Sequence, residues 1–173
     1  ENLKSIEKEN FQKLKESKLE KDPDDPFGNK EMEEPMYLEY IEGLMLLSLN
    51  KLDRAFAILE KVQAKNASNI GVCLAIGKIH LNRKNFVFAQ NQFIKALAID
   101  EMSVVAHHGL GLSFLRRDML NEAIDELVIA IDLNFYFSRA HYHLGEALAR
   151  LKNYEEAASA FEVAVRITPG MSK

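Results

Sequence analysis

The sequence has a single cysteine, Cys73, among its 173 residues, so no disulfide can form within the chain. A lone thiol is compatible with a reducing compartment. Apolar runs are short, and none approaches the roughly 20 residues that a membrane span requires. A secretory apolar segment is missing as well. These absences favour a protein that does not insert into a membrane, and we expect it in the cytoplasm.

An excess of charge of one sign is also missing from most of the chain. The formal net charge is −4 at pH 7. Residues 1–35 carry that whole excess of acid, whereas residues 36–173 hold equal numbers of acidic and basic side chains. A neutral body with an acidic tail lacks the positive patch that binds nucleic acid or an anionic membrane. We therefore expect neither as a partner.

Catalytic and metal-binding motifs are missing too. The sequence contains no phosphate-binding glycine loop, nucleophile elbow or zinc-protease helix. Its histidines lack the further converging ligands that a metal site needs, and His107 and His141 fit partly buried packing positions. Cys73 reads as an inert core thiol rather than a nucleophile. The sequence predicts no enzyme within these residues, no catalytic residue, no metal and no cofactor.

Proline is rare and unevenly placed, since Pro23, Pro26 and Pro35 are three of the four. They mark residues 22–35 as a linker. Residues 1–21 before it are highly charged, with Leu3, Ile6, Phe11 and Leu14 within an arc of about 140° if the segment is helical. We expect a helical arm there. The acidic residues of the linker lack the rest of a calcium-binding loop.

What the sequence does have is a repeat. Gly43, Gly77, Gly111 and Gly145 recur at one constant interval, with no insertion between copies. Such a fixed period is typical of a repeat architecture. The predicted units are residues 36–69, 70–103, 104–137 and 138–171. Each contains two apolar patterns at helical period, separated by a short polar turn. Each unit is therefore predicted to form a helical hairpin, and stacked hairpins form a solenoid.

Small residues recur where helices should approach closely. A glycine inside a helix costs roughly 0.5–1 kcal/mol relative to alanine, so four in register need a packing reason. Lacking Cβ, they allow the paired helix to come near. The large residues Leu59, Phe93, Leu127 and Phe161 are predicted to fill the space between hairpins.

These positions, and the length of the interval between them, resemble the tetratricopeptide repeat. The fourth unit is the clearest copy, with Leu144-Gly145 on its first helix, Ala157, Phe161 and Ala164 on its second, and Pro169 after it. The first unit is the weakest, because Glu39 and Glu42 replace large or apolar residues. The resemblance implies an all-α fold, a right-handed α-α superhelix of four hairpins spanning residues 36–173.

The resemblance also implies a concave groove lined by the first helices, and hence a module that binds a protein or peptide. We expect a largely apolar groove with a polar end. The candidate groove residues are Tyr37, Tyr40, Leu44, Leu47, Leu74, Lys78, Leu81, His108, Leu112, Leu115, Arg139, Tyr142, His143, Glu146 and Arg150. The positions that would clamp a terminal carboxylate in related domains mostly lack cations here, which speaks against that ligand.

Several alternatives remain open. The N-terminal arm could cover Tyr37, Tyr40, Leu44 and Leu47 itself. The chain could be a docking or regulatory domain of an enzyme whose catalytic part lies elsewhere. It could also be a structural oligomerisation module. No polar capping helix follows Pro169, so we expect the last helix, with Phe161 and Val165, to leave an apolar side open to self-association or to further chain.

Overall fold

The structure, a computed structural model, describes residues 34–169. The predicted arm, residues 1–21, and almost all of the linker lie outside this range. The described residues form eight α-helices and contain no strand. The helices are α1 (Glu34–Ser48), α2 (Leu52–Lys65), α3 (Ile70–Asn82), α4 (Phe86–Ile99), α5 (Val104–Arg116), α6 (Leu120–Leu133), α7 (Ser138–Arg150) and α8 (Tyr154–Ile167). The predicted all-α class is confirmed.

The first helix begins slightly before the predicted start of the repeats. Pro35 is the second residue of α1 rather than a residue that stops it. The first turn tolerates proline because its N–H groups have no partner within the helix. All later helices start at the interval of the repeat: α2, α4, α6 and α8 at Leu52, Phe86, Leu120 and Tyr154, for example.

The turns within the hairpins repeat one conformation. Asn50, Lys84, Asp118 and Lys152 each have a φ between 57° and 66°. In the last of them, the Lys152 N–H donates to the Ala149 carbonyl at 3.0 Å and the Asn153 N–H donates to the Leu148 carbonyl at 2.9 Å. This pair of bonds is the Schellman helix end, which satisfies carbonyls that the helix leaves free. It ends the first helix and starts the second within a few residues.

The chain divides into two compact units between Ala75 and Ile76. In the unit that ends at Ala75, α2 packs on α1, and Leu59 lies 2.6 Å from where a Cβ on Gly43 would be. Glu39 forms an ion pair with Lys65 at 3.0 Å. This contact explains why an acid fits a position that the repeat pattern reserves for a large residue.

In the unit that begins at Ile76, Phe93 of α4 lies against two glycines, Gly77 of α3 and Gly109 of α5. A Cβ on Gly77 would come within 2.8 Å of the Phe93 ring, and one on Gly109 would come closer still. Gly111 and Gly145 contact Leu127 and Phe161 in the same way. The predicted role of the glycines, close approach to a large residue of the second helix, is confirmed.

Candidate functional site

The unit that begins at Ile76 presents its first helices, α5 and α7, as neighbours. Because the two helices are consecutive copies of one pattern, their equivalent positions lie on one surface. We call this surface the α5/α7 face. Its members are Val105, His108, Leu112 and Arg116 on α5, and Arg139, Tyr142, His143, Glu146 and Arg150 on α7. All but Val105 and Arg116 are among the predicted groove residues.

Two histidines form the floor of the α5/α7 face. His108 Nε2 and His143 Nδ1 are 2.9 Å apart, so one ring donates a hydrogen bond to the other. The edge of Phe137 packs on His108, with ring centroids 5.0 Å apart. Burial lowers the pKa of His108 to about 3, helped by repulsion from His143 and Arg139. Burial likewise lowers the pKa of His143 to about 4, although Glu146 opposes the shift.

Beside the histidines, a carboxylate joins two arginines. Glu146 accepts from Arg116 of α5 at 2.5 Å and from Arg150 of α7 at 2.7 Å. Arg150 also donates to the carbonyl of Leu115 at 3.0 Å, near the end of α5. Burial alone would raise the pKa of Glu146, but the hydrogen bond and charge of Arg116, with the charge of Arg150, lower it overall. This network links the third and fourth repeats.

Three further members of the α5/α7 face, Val105, Tyr142 and Arg139, are open to solvent. Val105 is 45% exposed and Tyr142 is 40% exposed. Tyr142 is held by edge contacts to His143 and Phe161, with centroids 5.3 Å and 5.6 Å apart. Arg139 is exposed, and no acidic side chain among residues 34–169 pairs with it. The face therefore offers apolar area, a fixed aromatic ring and an available cation.

The structure revises part of the predicted groove. Leu115 is fully buried in a cluster with Ala123 and Ala147, so it is core rather than surface. Tyr40, Leu47 and Leu74 are at most 9% exposed and offer little contact area. Tyr40 and Leu74 hold equivalent positions in consecutive repeats, and both are buried. Of the other candidates, Lys78 is exposed, and Tyr37, Leu44, Leu81 and Leu112 are half-buried.

Sequence reasoning missed two features of the face. The first is the bond from Arg116 to Glu146, and its signal is that Arg116 and Arg150 hold equivalent positions in consecutive repeats. The contact between His108 and His143 joins positions that are not equivalent, because Gly109 is the counterpart of His143. Among the described residues, no group of three or more histidines, cysteines or acids could hold a metal.

Comparison with known proteins agrees with the repeat pattern. A family model described as "Tetratricopeptide repeat" matches residues 108–172. The matched stretch covers most of the third and fourth predicted units. Comparison with curated proteins gives no match. No helix within residues 34–169 is both long and apolar enough to cross a membrane.

Solved tetratricopeptide-repeat structures show the same fold. A crystal structure of MamA is 27% identical, with a TM-score of 0.67, and the match covers 75% of each chain. PilF of Pseudomonas aeruginosa is 21% identical, with a TM-score of 0.71 over 79% of this chain and 62% of PilF. The APC/C hetero-tetramer Cut9-Hcn1 contains a chain that is 17% identical, with a TM-score of 0.74 over 79% of this chain and 28% of that one.

Proposed function

We propose that this chain is a protein-interaction module that holds an acidic, partly apolar segment of a partner against the α5/α7 face. Tetratricopeptide repeats serve as scaffolds in related proteins, and the similar chain of Cut9-Hcn1 lies in a hetero-tetramer. The α5/α7 face is the proposed binding surface, and an acidic segment with apolar residues is the proposed ligand. The observation that carries the proposal is the separation of charge between α5 and α7, which are basic, and α6 and α8, which are acidic.

The first helices are basic. α5 contains Arg116 and no acid, and α7 contains Arg139 and Arg150 with Glu146 as its only acid. Lys78 on α3 adds an exposed cation. Two of the second helices are the opposite, since α6 has four acids and no base, and α8 has three acids and one base, whereas α4 has one base and no acid. A segment rich in Asp or Glu is therefore attracted by α5 and α7 and repelled by α6 and α8.

The network at Glu146 fixes where the available charge lies. Arg116 and Arg150 share Glu146, and Arg150 also lies 3.8 Å from the carboxylate of Asp118, so these two arginines and two acids carry no net charge at neutral pH. Arg139 adds a cation without an acidic partner among the described residues. Exposed pairs of this kind contribute only about 0.2–1 kcal/mol each, so they select the partner and speed its encounter more than they hold it.

The apolar part of the face supplies the holding energy. Val105, Leu112 and Tyr142 lie between the cations, and Tyr142 is already fixed by its ring contacts. An aromatic side chain that is ordered before binding loses little entropy on contact. The neutral histidines beneath it add no charge that would repel an apolar side chain. We infer that the partner contributes one or two apolar residues beside its acidic ones.

A random peptide library displayed on phage tests the proposal because it needs no identified partner. The full chain and its Arg139→Glu variant are used as baits, with Arg166→Glu as the control. Arg166 is also an exposed arginine, but it lies on α8 and pairs with Glu162. We expect peptides selected by the wild type to contain Asp or Glu next to an apolar residue, and to bind Arg139→Glu at least about tenfold more weakly.

The control should bind the same peptides with unchanged affinity. The proposal is overturned if selection enriches no peptide, or if the enriched peptides lack acidic residues. It is also overturned if Arg139→Glu and Arg166→Glu weaken binding equally, because the effect would then be one of net charge.

A further inference from the structure

The outer surface of α4 differs from that of every other second helix. Val87, Phe88 and Ile94 are 52%, 61% and 52% exposed. Their counterparts in the other repeats are mostly polar or charged. They are Asp53, Asn121 and Glu155 for Val87; Arg54, Glu122 and Glu156 for Phe88; and Glu60, Val128 and Glu162 for Ile94. A single exposed apolar residue is ordinary, but three on one helix at otherwise polar positions indicate a contact surface.

These residues form one continuous strip on the helix. At about 100° per residue, Ile94, Val87, Asn91, Lys95 and Phe88 follow one another around an arc of about 120°. Asn91 lies near the middle of this arc. The opposite side of α4 buries Ala89, Phe93 and Ala96. We call the five exposed residues the α4 patch.

The α4 patch is complementary to itself. If a second copy packs against α4 in antiparallel direction, with the two-fold axis at Asn91, residues equally distant from Asn91 meet. Phe88 then faces Ile94 of the second copy, and Val87 faces its Lys95. The two Asn91 amides meet at the axis, where each can donate to and accept from the other. Every apolar residue of the patch gains an apolar contact, either another side chain or the methylene stem of the lysine.

Neighbouring helices give the charge of Lys95 a partner. Gln90 accepts a hydrogen bond from Arg117 at 2.5 Å. The flank of α4 that carries Gln90 therefore faces the α5–α6 turn. Phe88 stacks on His80 of α3, with centroids 5.5 Å apart, which places α3 on the other flank. Val87 lies about 60° from Gln90 around α4, and so on the flank nearer the α5–α6 turn. A Lys95 placed over Val87 by a second copy therefore lies toward the start of α6, where Glu122 is exposed.

We propose that the α4 patch is an interface between two copies of this chain, arranged antiparallel about Asn91, with Lys95 of each copy paired to Glu122 of the other. This surface is separate from Val165 of α8, which is also exposed, and from the α5/α7 face, so the proposal does not depend on the proposed function.

Sedimentation of the full chain over a range of concentrations tests the interface. We expect a reversible dimer in the wild type. Phe88→Glu should raise the dissociation constant of the dimer at least about tenfold, because it places a charge in the apolar contact. The helix should still form, since Glu122 and Glu156 occupy the same position in α6 and α8. Val165→Glu, which alters the exposed apolar residue of α8 instead, is the control and should leave the dimer intact.

Charge exchange tests the pairing. Lys95→Glu and Glu122→Lys should each weaken the dimer several-fold, and the double variant should recover wild-type affinity, because opposite charges face each other again. A monomeric wild type at the highest concentration overturns the proposal. So does a dimer that Val165→Glu abolishes and Phe88→Glu leaves intact, or a double variant weaker than both single ones.

Cross-linking tests the position of the axis. Asn91→Cys should form a disulfide-linked dimer under mild oxidation, because both thiols lie at the two-fold axis. Ser159→Cys places a thiol at the equivalent exposed position of α8 and should stay monomeric. The native thiol, Cys73, is buried and gives little background. Equal cross-linking of the two variants would contradict the arrangement.

Discussion

A histidine that cannot take up a proton makes the folded state sensitive to acid. His108 and His143 have pKa values of about 3 and about 4 in the folded protein, because burial disfavours their charged forms. In the unfolded chain the same groups return to their ordinary pKa of 6.5. Between these limits the unfolded state binds more protons, so stability rises with pH and is lost as the pH falls below about 6.5.

The size of this loss can be measured by urea unfolding at pH 7, 6 and 5. A shift of one pKa unit corresponds to about 1.4 kcal/mol, so the two histidines together should cost roughly 2–4 kcal/mol of unfolding free energy between pH 7 and pH 5. A variant with His108→Gln and His143→Gln keeps polar groups at the contact but cannot protonate there. We expect a smaller fall with pH in this variant, whatever its stability at pH 7.

Nuclear magnetic resonance of the imidazole rings checks the cause directly. The ring signals of His108 and His143 in the folded protein should stay those of neutral imidazole at pH 5. Equal losses of stability in the wild type and the double glutamine variant between pH 7 and pH 5 would contradict this account.

At the scale of helices, the fit of Phe93 between α3 and α5 sets the spacing of the hairpins. Gly109 is not part of the repeated glycine pattern, yet it lies closer to the Phe93 ring than the patterned Gly77 does. In a helix without a close neighbour, Gly→Ala stabilises by roughly 0.5–1 kcal/mol. Here the added methyl group must displace a buried ring, and overpacking typically costs about 1–3 kcal/mol.

Gly109→Ala should therefore destabilise the protein by roughly 1–2 kcal/mol, opposite in sign to the effect of helix propensity. Phe93→Leu removes the ring atoms that the methyl group would meet. The double variant should lose less stability than the sum of the two single changes, by at least about 0.5 kcal/mol. Thermal or urea unfolding of the four proteins completes the cycle. A stabilising Gly109→Ala, or strictly additive changes, would show that the contact does not limit packing.

The helices could be predicted from the sequence because equivalent positions in successive repeats make the same packing contacts. Gly111 contacts Leu127 at the positions where Gly145 contacts Phe161 one repeat later. A contact inferred for one repeat therefore predicts the equivalent contact in the next. The site was predicted less well. Whether Leu115 is core or surface, and whether His108 reaches His143, depends on how far one helix is rotated against its neighbour. A repeat pattern fixes the order of the helices but not that angle.

At the scale of the unit that begins at Ile76, two separate surfaces differ in their balance of apolar and charged residues. The α5/α7 face is basic and partly apolar, and the α4 patch is apolar with one lysine. They share no residue. The acids of α6 and α8 lie outside the α5/α7 face, and exposed Glu122 is the one that the proposed dimer uses. Such a division lets one chain hold a partner and a second copy of itself at the same time.

The independence of the two surfaces is testable with the variants already described. Phe88→Glu should abolish the dimer while its affinity for a selected acidic peptide, measured by fluorescence anisotropy, stays within about twofold of the wild type. The physical reason is that Phe88 lies on α4 and Arg139 on α7, in two surfaces that have no member in common. Arg139→Glu should show the reverse, with peptide binding lost and the sedimentation profile unchanged. If instead Phe88→Glu weakens peptide binding tenfold, the peptide contacts both surfaces or requires the dimer, and the α5/α7 face alone is not the binding site.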